Sequence, residues 1–275
     1  MKRLFILILA PLWYCALHAY TPQCPMSCTS LRDGEVLEYS AYFQLGAMRI
    51  ERLYLKTETH DDIWQGDSVC TILAIGETQK TMLRFFGLQD SFYVHLRKAD
   101  LLPDYYYEHD IERKYEGQKE YHYAYVGDTL TLQAYEYRNG AILDSVFAFT
   151  RSCPLDALSL VFRLRNFPFE EAKEGESYSF DFFNKGVCET LSITYQKPVT
   201  IRLRTGETYQ CHKLVFDVSE GSLFSRENPV TIYLSTDPSH IVVHAEAKLK
   251  VGYAMVDLIG ESTKKQPSDK IFIKK

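Results

Sequence analysis

Three clusters of polar side chains in the 275-residue chain have types and spacings that could do chemistry. Glu108, Asp110 and Glu112 alternate, and in a strand they share one face with neighbours about 6.6–6.8 Å apart, a range compatible with the paired carboxylates of glycoside hydrolysis. Arg113 and Lys114 follow directly, so the run also reads as a solvated strand end of mixed charge, and it supplies too few oxygen ligands for calcium. His240 and His244 stand at the spacing that puts two metal ligands on one helix face. Ile241, Val242 and Val243 between them favour a strand, where the two are about 13 Å apart and cannot share an ion. Cys211 and His212 are adjacent and therefore point to opposite faces of a strand, which separates a thiolate from its imidazole. No Gly-x-Ser-x-Gly elbow is present. These residues assign no catalytic set, no metal site and no cofactor.

A fourth group is aromatic. Tyr105, Tyr106, Tyr107, Tyr115, Tyr121, Tyr123, Tyr125, Tyr135 and Tyr137 fall in one short stretch. A tyrosine ring is apolar and its hydroxyl still bonds water or ligand, so such a face could stack on sugars or line an apolar cavity. Cross-strand packing of aromatic pairs accounts for the same pattern. Tyr121, Tyr123 and Tyr125, with Phe162 from a helical segment described next, are the candidate ligand-binding residues.

The elements that must position these side chains are strands. Leu37, Tyr39, Ala41, Phe43 and Leu45 alternate with Glu38, Ser40 and Gln44, a period of two. The alternation returns in Tyr121 to Tyr125 and in Leu130, Leu132 and Ala134, with Gly127-Asp128 as the turn between them. Asn139-Gly140 suits a type I′ turn leading into Ala141 to Phe149. Further alternating runs follow from Tyr178 to Phe182, Val187 to Ile193, Val199 to Leu203, Leu214 to Val218, Val230 to Leu234, Ile241 to Leu249 and Lys250 to Ile259. One segment differs. Leu155, Leu158, Val161 and Phe162 recur at helical spacing and Asn166-Phe167-Pro168 supplies a stop, which predicts one helix near 153–166 with Arg163 and Arg165 on its exposed face. Roughly twelve to fourteen strands and one main helix predict a mostly β protein, an antiparallel meander forming a barrel or a strongly curved open sheet.

The chain's ends read as addresses and tails. Lys2 and Arg3, the apolar run Leu4 to Leu12 and the small residues Ala16 and Ala19 have the layout of a signal peptide at 1–19. A lead segment then occupies 20–33, a single β domain 34–261 and a basic tail 262–275. Without Cys15, six cysteines remain in a compartment that permits disulfides, and their pairing stays open; Cys70 and Cys188 read equally as buried hydrophobes. No later stretch is long and apolar enough to span a membrane. With 31 basic against 36 acidic residues, a formal charge of -5, there is no basic excess for nucleic acid.

Six stretches carry a family likeness: Gly34-Glu35-Val36-Leu37-Glu38-Tyr39, the Asp90 strand leading to Leu101-Leu102-Pro103, Asp156-Ala157-Leu158-Ser159, Arg204 to Cys211, Thr231 to Ser235, and Lys250-Val251-Gly252-Tyr253-Ala254. In these the chain resembles the exported bacterial proteins grouped as domain of unknown function 3108. The resemblance implies an antiparallel β architecture in the envelope and supplies no activity or catalytic residues. Only Cys211 among the cysteines lies in one of these motifs. The expectation is an exported, periplasmic or secreted, non-enzymatic protein that binds a lipid or other amphipathic small molecule in a barrel-like pocket. An envelope scaffold that binds a protein or glycan is the alternative, and a glycoside hydrolase the third.

Overall fold

The computed structural model of the chain describes residues 26–78, 88–112, 115–126, 129–150, 152–184, 186–217, 229–249 and 252–263. The expected signal peptide, the start of the lead segment, the Gly127-Asp128 turn and the tail beyond 263 lie outside the described residues.

The chain forms β1 (Glu35–Leu45), β2 (Met48–Trp64), β3 (Asp67–Thr78), β4 (Leu88–Arg97), β5 (Pro103–Glu112), β6 (Tyr115–Val126), β7 (Thr129–Arg138), β8 (Ala141–Thr150), α1 (Ala157–Leu164), β9 (Ser177–Asn184), β10 (Val187–Arg202), β11 (Thr208–Asp217), β12 (Val230–Ser235), β13 (Val242–Lys248) and β14 (Tyr253–Thr263). All pairings are antiparallel and make one 14-stranded sheet in the order β8-β7-β6-β5-β4-β3-β2-β1-β14-β13-β12-β11-β10-β9. The meander is therefore joined through β1 and β14, and its free edges are β8 and β9.

Of the two expected shapes, the strongly curved open sheet is the one formed. The edges β8 and β9 are not hydrogen-bonded to each other, yet the curl brings them together. A Cβ placed on Gly186 would lie 3.0 Å from Val146 of β8, and the ring of Tyr121 meets that of Phe183 edge-on at 5.0 Å. The segment before the helix covers the β9 edge, with Leu155 N–H donating to Asp181 O and Phe183 N–H donating to Leu155 O, each at 2.9 Å. Side-chain packing and this short parallel bridge take the place of a closing strand pair.

Local sequence explains the turns and bends. Asn139 and Gly140 have φ of 49° and 79°, the left-handed pair a type I′ turn needs, and β7 and β8 pair on either side of it. Pro198 cannot donate to a ladder, and it falls where the β10–β11 register shifts between Gln196 and Val199. Before that bulge Leu191, Ile193 and Tyr195 face the main core. Beyond it Val199, Ile201 and Leu203 join a second core with Leu37, Cys211, Tyr233, Val243 and Leu258. Arg204, in the hairpin tip, sits 5.2 Å from the ring centroid of Tyr42 on β1.

The helix is shorter than the predicted 153–166, because Leu155 is drawn into the bridge with β9 and Asp156 caps the first turn. Arg163 and Arg165 are corrections to the expected exposed face: both are buried, at 0% and 1% exposure. The helix buries the side that carries Ser159, Leu160, Phe162, Arg163 and Leu164, whereas Ala157 is exposed and Leu158 and Val161 are half-buried. Arg163 donates to the carbonyls of Asp100 and Leu101, at 3.2 and 2.8 Å. Arg165 pairs with Glu35. Cys153 is disulfide-bonded, whereas Cys28, Cys70, Cys188 and Cys211 are free thiols. Cys70 is buried and Cys188 exposed, which separates two residues that read alike in sequence. Burial pushes the Cys70 and Cys211 thiols up to about 12, so neither offers a thiolate nucleophile.

Candidate functional site

A hollow of about 320 Å³ lies between α1 and the inner face of the sheet. The helix contributes Ala157, Leu158, Val161 and Phe162, an apolar stripe at helical spacing. Strands β2 to β4 contribute Leu55, Ala74, Gly76 and Phe92, and Ile232, Ala245, Val256 and Tyr39 complete the wall from β12, β13, β14 and β1. Small residues make the space. At Gly76 even a methyl group would come within 3.1 Å of Leu55, and Ala74 and Ala245 stand where larger strand residues would fill the gap. Thr57 and the Tyr39 hydroxyl supply the polar groups of the inner wall, while Lys56, on the alternate face of β2, is ion-paired with Glu58. Such a site excludes charged ligands from its depth and favours alkyl or aromatic groups.

A charged cluster adjoins this hollow on the same inner face. Register places Glu108 opposite Phe92, Asp110 opposite Asp90, and Asp90 opposite Gly76. Lys119 is ion-paired with Glu108, whose other oxygen accepts from the Tyr106 hydroxyl at 2.6 Å. Asp110 is pushed up to about 7, by burial first and then by the charge of Glu108 and a hydrogen bond with it. Glu108 and Asp110 thus interact directly on one face of β5.

The sign of the Asp110 displacement gives a pH prediction. Between about pH 4 and pH 7 the folded chain holds a proton that the unfolded chain has released, so stability falls as pH rises through that window. The group is partly solvated, which limits the effect to on the order of 1 kcal/mol. Asp110→Asn is expected to raise the unfolding midpoint by about 2–4 °C at pH 8 and to leave it unchanged at pH 4. Thermal melts across that range check this, and a gap independent of pH would refute it.

The sequence-derived candidates divide. Phe162 lines the hollow. Tyr121, Tyr123 and Tyr125 face the same interior and belong to the packed core beside it, not to the wall. Tyr123 is hydrogen-bonded to Asp156 at 3.4 Å, and Tyr125 carries the Arg97 guanidinium over its ring at 4.3 Å. The residues that sequence reading missed are the small ones, Ala74, Gly76 and Ala245. Their only signal was a lack of bulk at inward positions of otherwise bulky strands.

A larger and more polar cleft, about 770 Å³, opens beyond the C-terminal end of α1 between the lead segment, the 166–171 loop and the β12–β13 turn. There the His212 ring stacks on Phe169 with 4.0 Å between centroids, and His240 sits in a left-handed turn with its Nδ1–H donating to Arg165 O at 2.8 Å. Burial, then the neighbouring His240, lowers His212 to about 4, so it is neutral. His244 is far from this pair in role: it bonds Asp257 on β14 at 2.7 Å. Among the described residues no group of three or more His, Cys, Asp or Glu is placed to hold a metal ion.

A family model described as "Protein of unknown function (DUF3108)" matches residues 38–259. No curated protein matches the chain. A solved beta-barrel-like protein of domain of unknown function DUF1849, from Brucella abortus, aligns with 87% of this chain and 99% of its own, at TM-score 0.53 and 5% identity. That likeness is one of fold. A candidate lipoprotein from Parabacteroides distasonis aligns over the same shares at 10% identity, with a TM-score of only 0.37.

Proposed function

The chain belongs to the DUF3108 family, which brings no activity with it, and from that premise we propose that it is an exported envelope protein holding a lipid-like amphiphile beside α1. The observation that carries the reading is the hollow itself. It has about 320 Å³ of space between the helix and the sheet, walled by aliphatic and aromatic side chains from eight elements. That volume is in the range of small-molecule sites, roughly 300–1,000 Å³. The Glu108–Lys119–Asp110 cluster next to Phe92 supplies a polar flank, which suits a molecule with one apolar and one polar end. Export is supported by the leader-like first residues. Among the described residues no helix is long and apolar enough to cross a membrane.

The test is titration with 11-dansylaminoundecanoic acid, whose fluorescence rises in an apolar site. Wild type is expected to bind, and Ala245→Trp, which fills the hollow from β13, to bind at least about tenfold more weakly. Leu158→Trp repeats the test from the helix wall. Ile63→Ser, at an exposed strand end, serves as the control and binds as wild type. No enhancement with wild type, or equal binding by both filled variants, overturns the reading.

A further inference from the structure

We propose that the outer face of β4–β7 is a second binding site, a platform for a neutral carbohydrate chain. It is independent of the hollow inside the sheet. With Tyr121, Tyr123 and Tyr125 turned inward, the alternate residues of these strands point outward, and many of those on β4, β5 and β7, with His122 on β6, are aromatic. Register sets them in rows across the strands: His95 opposite Tyr105 opposite His122, Tyr93 opposite Tyr107, then Glu120 and Tyr135, and His109 opposite Gln118 opposite Tyr137.

The rings form a continuous layer. Trp64 stacks on His95 at 4.3 Å and reaches Tyr105 at 5.6 Å; Tyr105 meets His122 at 5.2 Å; His122 meets Tyr135 and Tyr135 meets Tyr137, each at 6.4 Å. Trp64, Tyr93, Tyr107, Tyr135 and Tyr137 are partly exposed, so the layer has a solvent side. Between the rings stand hydrogen-bonding groups of the kind that recognise hydroxyls: Glu120 accepts from Tyr105 at 3.1 Å, and Glu116 bonds both His109 and Gln118. His95 adds an observation of its own. It is 1% exposed, its Nδ1 is taken by Thr71 at 2.9 Å, and its Nε2 has no protein partner.

Chemistry selects the occupant. A sugar ring has an apolar C–H face that packs on an aromatic ring and a rim of hydroxyls that reach carboxylates, amides and imidazoles. Neighbouring strands repeat about every 4.8 Å, so a chain laid across them meets a new ring or polar group at each step. Glu116 and Glu120 with no Lys or Arg in these rows disfavour polyanions such as nucleic acid or acidic lipid headgroups. The rings lie side by side rather than around a hollow, which disfavours a cage for a quaternary cation.

The experiment is calorimetric and fluorescence titration of the protein with cellohexaose and with N-acetylchitohexaose. Trp64 reports on the platform, and it is the one tryptophan outside the expected signal peptide 1–19. Binding of at least one oligosaccharide with a dissociation constant of about 1 mM or tighter is expected, with a change in Trp64 emission. The Tyr107→Ser/Tyr135→Ser variant is expected to weaken it about tenfold or more, while binding 11-dansylaminoundecanoic acid as wild type does. Trp64→Phe, which keeps a ring, retains most of the affinity measured by heat. Absence of heat with both sugars, unchanged affinity in the double variant, or preference for oligolysine over either sugar overturns the proposal. Because the dansyl probe is read separately, loss of one site does not count against the other.

Discussion

Glu35→Gln is expected to cost about 3–5 kcal/mol of folding stability. Arg165 Nη1 donates to Glu35 Oε1 at 2.5 Å and Nη2 to Oε2 at 2.8 Å, a bidentate pair with side chains 1% and 5% exposed. Arg165 Nε also donates to Ser239 O at 3.2 Å, and Nη2 lies 3.0 Å from Ser239 O and 3.3 Å from Ser30 O. One guanidinium thus joins the helix end to the start of β1, the lead segment and the β12–β13 turn. Gln keeps the shape and removes the charge, leaving a buried cation facing neutral carbonyls. The cost comes from that stranded charge more than from a lost contact, so Glu35→Leu/Arg165→Met should recover most of it. Urea unfolding of the three proteins decides the matter. A Glu35→Gln loss under about 1 kcal/mol, or a double variant no more stable than the single, would contradict this account of the pair.

How far sequence could reach is plain from these residues. Strand alternation was legible because the sheet has an inside and an outside: Tyr121, Tyr123 and Tyr125 share their inward face with Leu130, Leu132 and Ala134 of β7, as the period predicts. The Asn139-Gly140 turn was legible because positive φ restricts residue choice. Arg163 and Arg165 were not. Their position opposite the apolar stripe reads as solvent, but it is the arginine side of the helix that is covered, by partners such as Glu35 and Ser239 that lie 130 and 74 residues from Arg165. The hollow is a property of the curl, since its wall draws on strands from both halves of the chain. The outer ring layer was half legible. Tyrosines on both faces of β5 to β7 made the aromatic content obvious, but Trp64 and His95 join it only through strand order.

The helix that walls the hollow is itself held by one carboxylate, and its removal is the second large effect. Asp156 caps α1, accepting from Ser159 N–H at 2.8 Å and from the Ser159 hydroxyl at 2.5 Å, with Tyr123 OH at 3.4 Å. Asp156→Ala removes the cap, about 1–2 kcal/mol, and leaves the Ser159 and Tyr123 hydroxyls buried without their acceptor, for a total of about 2–4 kcal/mol. Ala157 and Leu158, the first two residues after the cap, line the hollow, so affinity for the dansyl probe should fall with it. Asp156→Asn keeps a capping oxygen and is expected to stay within about 1 kcal/mol of wild type at pH 7. Burial pushes Asp156 up to about 6, so wild type holds a proton in the folded state that the unfolded chain loses near pH 4. Its stability therefore declines relative to the Asn variant as pH rises from about 4 to 6 and is level above that. Urea unfolding at pH 4, 5, 6 and 7 separates the two contributions. An Ala variant as stable as the Asn variant would mean that the helix is held by its apolar stripe alone.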